Sequence, residues 1–279
     1  MAVWYPPDGT LIIPSSSLTG EPLTSGEAIA ARDSVTGAFQ STAAVTYLKY
    51  WTAATSGVST GVTVYCGGTA ASSVSLALIS VYSVAASGNQ TLAATTGNVG
   101  TTAFPTQSAA ATVSWSGGNF TRVAGQLYAL AIMAGAQGTM PTIEGFTTNT
   151  GTAALTGLAP YMTGSITQPT TYVTSGSNAA EISTIASWSS PSAGVLDVNS
   201  TSGFASGGGT LWVVVTAALA QITYTGVTGG NQFTGCAYVS GAATQNTFTF
   251  GTVQPVFPTT ITAGTVVAGG PAPMAVVAP

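Results

Sequence analysis

Seven carboxylates and three cations supply almost all the ionisable chemistry of this 279-residue chain, which has no histidine. The acids are Asp8, Glu21, Glu27, Asp33, Glu144, Glu181 and Asp197, and the bases are Arg32, Lys49 and Arg122. Glycoside hydrolysis needs two carboxyl groups facing across a cleft. Glu144 and Glu181, both in loop-like sequence, are the pair to consider, yet the acids are scattered singly and no spacing sets two on one face. A serine nucleophile would lack a histidine base, and no Gly-Xaa-Ser-Xaa-Gly run is placed as a strand-to-helix elbow. The clustered aspartates of a calcium loop are missing as well. The sequence therefore assigns no catalytic residue, no metal ligand and no cofactor, and a non-enzymatic role is expected.

The distribution of charge narrows the partners. Residues 50–121 and 198–279 contain no charged side chain at all, and charged residues make up 4% of the chain. With a net charge of -4 and three cations, no basic face for nucleic acid can be assembled. The most apolar stretch, residues 211–220, is far short of the ~20 residues a membrane helix requires. The opening Met1-Ala2-Val3-Trp4-Tyr5-Pro6-Pro7 has no basic segment and meets two prolines at once, so it does not read as a secretory signal. A soluble protein made in a reducing cytoplasm is expected, with Cys66 and Cys236 as unpaired buried thiols. The sequons at Asn89, Asn119 and Asn199 are what a chain rich in Ser and Thr contains by chance. Hydrophobic residues at 45% are enough to offset chain entropy, so the chain should fold despite its Gly, Ser and Thr content.

The elements that must position these residues read as strands. Residues 1–36 form an extended arm and a short helix. Trp4, Tyr5, Leu11, Ile12 and Ile13 give the arm its apolar docking surface, and Thr24 with Glu27 makes a capping box ahead of a helix over residues 28–32. From Val45 the period becomes 2, over residues 45–51 and 62–66. Residues 74–82 and 127–133 form continuous buried strands, and Val113 with Trp115 marks a shorter one. This pattern predicts an all-β fold, an antiparallel jelly-roll-like sandwich over residues 37–165 followed by a linker over residues 166–186, with the Ser-, Thr-, Gln- and Pro-rich residues 163–178 reading as a linker or a loose edge strand. A small C-terminal β module spans residues 187–254, with strands over residues 195–198, 210–216 and 219–225. Gly229-Gly230-Asn231 makes its hairpin turn before residues 232–239 return. Residues 255–279 have weak periodicity and are expected to be an extended tail, or one docked on a partner, so that the fold carries extended terminal arms.

The run Gly194-Val195-Leu196-Asp197-Val198-Asn199-Ser200-Thr201-Ser202-Gly203-Phe204 is followed by Gly209-Thr210-Leu211-Trp212-Val213, Ala220-Gln221-Ile222-Thr223-Tyr224-Thr225-Gly226 and Phe233-Thr234-Gly235-Cys236. This order resembles a module of virion proteins of tailed bacteriophages, especially those of actinobacteria. The preceding domain, with Ser80-Val81-Tyr82-Ser83 and Ala124-Gly125-Gln126-Leu127-Tyr128-Ala129-Leu130-Ala131-Ile132, is similar to the β-sandwich that accompanies such modules in minor tail proteins, fibres and head decorations. The resemblance implies a virion structural protein assembled in the host cytoplasm, and it transfers no catalytic residue.

The expected role is a minor tail protein or fibre, with a capsid decoration or head fibre as the alternative and a secreted β-sandwich adhesin as a third class. The expected partners are other virion proteins and further copies of the chain, a trimer being favoured. A host-surface glycan is a further expected contact, because sugars are held by aromatic platforms beside amide and hydroxyl donors. Trp51, Tyr65, Trp115, Tyr161 and Tyr172 are the candidates. Trp51, Trp115 and Trp212 sit in alternating strands and are expected in the core, which leaves Tyr161 and Tyr172 as the glycan or partner contacts.

Overall fold

A computed structural model describes residues 27–28, 37–43, 45–72, 75–136, 139–147, 163–167, 171–172, 194–215, 218–241, 252–255 and 257–278. Its strands in chain order are β1 (Glu27–Ala28), β2 (Gly37–Gln40), β3 (Val45–Thr52), β4 (Gly57–Ser59), β5 (Gly61–Tyr65), β6 (Ser75–Val84) and β7 (Gln90–Thr95). A single helical turn, α1 (Gly100–Ala103), precedes β8 (Ala110–Ser114), β9 (Phe120–Arg122), β10 (Leu127–Ala136), β11 (Thr142–Phe146), β12 (Thr163–Thr167) and β13 (Thr171–Tyr172). The second half holds β14 (Gly194–Asp197), β15 (Gly209–Val215), β16 (Ala218–Tyr224), β17 (Gly226–Thr228), β18 (Gln232–Gly241) and β19 (Thr252–Pro255). It ends with β20 (Thr260–Ile261), β21 (Val267–Ala268), β22 (Ala272–Pro273) and β23 (Ala275–Ala278).

The protein is an all-β antiparallel sandwich with a second β unit. A seven-stranded sheet in the order β20-β7-β6-β10-β3-β12-β21 forms one layer. A four-stranded sheet β1-β23-β5-β8 and a three-stranded sheet β2-β11-β22 supply the strands packed against it. The chain passes from β3 to β5, back to β6 and β7, across to β8 and back to β10, the alternation expected of a jelly-roll-like sandwich.

The continuous apolar runs have a simple cause: the central strands are buried on both faces. Along β3, Tyr47 and Trp51 face a core that contains Ile79, Val81, Leu130 and Ile132 of the same sheet and Val62, Val64, Val113, Ala275 and Val277 of the opposite layer. The alternate residues Leu48 and Tyr50 face the other way, with Leu76, Leu78, Tyr82, Ala131 and Met133. This second face is covered by Phe257, Ile261, Val266 and Trp212. Each such side chain removed from water contributes about 1.5–3 kcal/mol, so neither cover is dispensable.

Two of those covering elements overturn expectations. The tail expected to be extended or docked on a partner instead returns to the sandwich: β20 pairs with β7, β21 with β12, β22 with β11, and β23 with β5. Its strands are two to four residues long, too short to show a period, so their pairing depends on partners far upstream. Gly145 permits one of these approaches, since a Cβ there would overlap the Ala272 carbonyl oxygen. The helix expected to start at Ala28 is also absent there. Glu27 and Ala28 pair with Val277 and Val276 as β1, so sheet pairing outweighs a capping box worth ~1 kcal/mol. Residues 29–32 lie outside the described residues.

The stretch expected as linker or loose edge strand contains β12, which pairs with β3 and β21, and β13, which pairs with β19. The second unit is built on β13-β19-β15-β16-β18-β14 with β17 against β18. Its turn at Gly229 and Gly230 has positive φ at both residues (63° and 76°), as the hairpin reading anticipated. Phe204 and Tyr224 flank Phe233 at ring distances of 5.1 and 4.8 Å in a core with Leu196, Leu211, Ile222 and Cys236. The chain enters this unit through β13 and leaves through β19, which are adjacent antiparallel strands, before resuming the sandwich at β20. The unit is therefore an insertion between strands of one sheet, rather than a domain appended to its end.

Phe257→Ala is expected to destabilise the isolated protein by about 3–5 kcal/mol, because Phe257 packs edge-on against Tyr82 at 6.4 Å. Urea unfolding of the wild type and variant measures this. An unchanged midpoint would return the segment to the status of a free arm.

Candidate functional site

Among the described residues, the chemistry-bearing side chains lie on separate strands. Lys49 is 4% exposed, in β3 between Tyr47 and Trp51, and its burial lowers the ammonium pKa. Arg122 is buried in β9, opposite Gly57 of β4. Asp197 is buried at the end of β14, where Oδ1 accepts a 2.7 Å hydrogen bond from Gln232 Nε2. Glu144 is half-buried in β11, and its backbone carbonyl accepts from the Met274 amide at 2.9 Å. Glu181, the other half of the acid pair considered for hydrolysis, lies outside the described residues, as do Asp8, Glu21, Arg32 and Asp33. Among the described side chains, none that is charged is exposed.

The surface that remains is made of hydroxyls, amides and small apolar groups. The outer side of β5 carries Thr63 and Tyr65, half-buried, while Val62 and Val64 point inward. Thr63 and Thr112 share a 2.7 Å hydrogen bond between neighbouring strands on this side. The exposed large apolar side chains Val58, Val123, Val239 and Val267 fall on different elements, and single exposed apolar residues are ordinary on protein surfaces.

The three tryptophans expected in the core are there: Trp51, Trp115 and Trp212 are 6–7% exposed. Trp115 donates from Nε1 to Ser59 Oγ at 3.1 Å. None of the three offers a sugar platform. Tyr172 stands in β13 rather than in a loop, and its side chain is not among the described ones; Tyr161 lies outside the described residues. The arm residues Trp4, Tyr5, Leu11, Ile12 and Ile13 also lie outside them.

Both cysteines are free and buried, as their spacing suggested. Cys66 donates to Thr69 O at 3.4 Å, and burial, with the negative charge of Glu144, pushes its pKa up. Cys236 donates to Phe233 O at 3.5 Å, and burial pushes its pKa up to about 12, against a small opposing effect from a backbone hydrogen bond. A protonated buried thiol is a poor nucleophile, so these positions act as core packing.

Among the described residues, no three His, Cys, Asp or Glu side chains gather as a metal site, and no helix is long and apolar enough to cross a membrane. The arrangement defines a charge-poor, twice-covered all-β sandwich with an inserted β unit. Comparison of the chain with family models, with curated proteins and with solved structures gave no significant match. The element that sequence reading missed is the returning C-terminal segment. Its one available signal was the apolar content of Phe257, Ile261, Val266 and residues 274–277, unusual for a solvated tail.

Native protein at pH 8 is expected to leave both thiols unmodified by a disulfide reagent until it unfolds. Because the folded Cys236 pKa is raised, its stabilising contribution is complete below the ordinary thiol value of about 8.5 and is lost as pH rises towards about 12. Wild type should therefore lose stability relative to Cys236→Ala as pH rises above about 8.5, read from unfolding midpoints. An equal pH dependence in the two proteins would contradict the burial argument.

Proposed function

We propose that the chain is a non-enzymatic structural protein of a tailed-bacteriophage virion, a minor tail protein or fibre, that acts by assembly with other virion proteins and with copies of itself. The observation that carries this reading is the withdrawal of charge: Lys49, Arg122 and Asp197 are buried, and no described charged side chain is exposed. A freely diffusing domain keeps roughly a quarter of its surface charged for solubility. A subunit whose surface is to be covered by neighbours gains from the reverse, because each ion left at a contact costs desolvation when it is buried. The order of motifs from Gly194 to Cys236, which resembles phage virion modules, supports the same class. Tyr161 and Tyr172 remain the proposed residues for a host-glycan contact, since Trp51, Trp115 and Trp212 are committed to the core.

Such contacts owe little to ion pairs, so subunit association should persist from low salt to 1 M NaCl, measured by light scattering of the purified protein. Dissociation at high salt would contradict the charge argument. The particle itself is tested by immunogold labelling or cryo-electron microscopy of purified virions. A few copies at the tail support the proposal, many copies over the shell would replace it with a head decoration, and absence from virions would overturn both.

A further inference from the structure

Among the described side chains, Lys49, Arg122 and Asp197 are buried, whereas Glu144 of β11 is only half-buried. Its neighbour Ile143 points into the core, so Glu144 points to the outer side of its sheet. On β5 the same alternation turns Thr63 and Tyr65 outward. An antiparallel bridge between Cys66 and Ile143 joins the two strands. Tyr65 and Glu144 are each the next residue along from that bridge, so the register sets them opposite each other on the outer face. The Met274 amide holds the Glu144 backbone, donating to its carbonyl at 2.9 Å. After burial, the negative charge of Glu144 is the second influence raising the Cys66 pKa, which places the carboxylate near β5.

The surroundings of this pair are small and uncharged. Tyr65 faces Ala110, an exposed residue with only a methyl group to set beside the ring. Thr63 faces Thr112, their hydroxyls 2.7 Å apart. Among the described residues, neither the Tyr65 hydroxyl nor the Glu144 carboxylate is engaged in a hydrogen bond or ion pair. An aromatic ring with an open flank packs against the C–H face of a sugar. A carboxylate beside it accepts from sugar hydroxyls, and such charge-assisted bonds are the stronger kind. The same carboxylate repels phosphates, sulfates and uronic acids, and no described cation is exposed to hold them. The chemistry therefore selects a neutral sugar.

We propose that Tyr65 and Glu144, with Thr63 and Thr112, form a shallow site on the outer face of the sandwich for a neutral pyranose of a host-surface glycan. This rests on the glycan contact proposed above and gives it a location besides Tyr161 and Tyr172.

Saturation-transfer NMR on the full-length protein, with methyl glucopyranoside, methyl galactopyranoside and methyl mannopyranoside as probes, tests the site. Transfer to the ring protons of at least one probe is expected. Glu144→Gln should weaken binding at least about tenfold through loss of the charge-assisted bond. Tyr65→Ala should abolish transfer and Tyr65→Phe retain it. E144Q, an exchange of near-equal size on the outer face, keeps the test decisive if Y65A does not fold. Absence of transfer to every probe would overturn this site and the glycan contact together, leaving the virion assignment to its own test. Transfer undiminished in E144Q would overturn this site alone, and its loss in Tyr161→Ala or Tyr172→Ala would then return the contact to those residues.

Discussion

A sheet whose central strands are apolar on both faces cannot stand alone, and this constraint organises the molecule. β3, β6 and β10 present Tyr47, Ile79 and Leu130 to one side and Leu48, Leu78 and Met133 to the other. One cover comes from β5, β8 and β23. The other must come from elsewhere in the chain, and it does: Phe257, Ile261 and Val266 return from the C-terminal segment, and Trp212 projects from the inserted unit. Some of the polar atoms under this cover are paired locally, with Tyr82 Oη donating to Pro258 O at 2.8 Å and Gln90 Nε2 to Tyr50 Oη at 2.7 Å, whereas Trp212 Nε1 and Gln90 Oε1 are buried without a hydrogen-bond partner among the described residues. A buried polar group left unpaired costs about 1–3 kcal/mol, which the apolar burial around it must offset.

The same constraint accounts for the role of the second unit. β15 places Leu211 and Val213 in that unit's own core, while Trp212, between them, belongs to the sandwich cluster that also holds Leu48 and Phe257. One strand thus serves two cores by the alternation of its side chains. A charge-poor exterior is compatible with such a fold because stability comes from apolar burial and strand pairing. Among the described residues the exterior carries no exposed charge of the kind that keeps ordinary domains apart, and that is the physical basis for proposing the protein as a component of an assembly.

Long strands were legible in the sequence because each carries its own signal. The alternation at residues 45–51, the continuous run at residues 127–133 and the Gly229-Gly230 hairpin all correspond to elements of the structure. The burial of Trp51, Trp115 and Trp212 was likewise readable from their strand positions. Elements of two to four residues were not, because β1, β20, β21 and β22 owe their form to partners more than a hundred residues away. Glu27 shows this most clearly: its capping-box pattern with Thr24 is a local helix signal, and the distant strand holding Val277 decides the outcome. Tyr172 was read as loop-like because its strand is two residues long, and β13 pairs with β19, some eighty residues later in the chain.

The account stands on residues 257–278 being part of the sandwich rather than an appendage to it. Amide hydrogen exchange followed by mass spectrometry tests this most directly, since protection reports the cooperative unit to which each strand belongs. The account predicts that peptides covering β20 and β23 are protected to the same extent as those covering β3 and β10. Exchange of the C-terminal peptides at the rate of unstructured chain, with the central strands still protected, would contradict it.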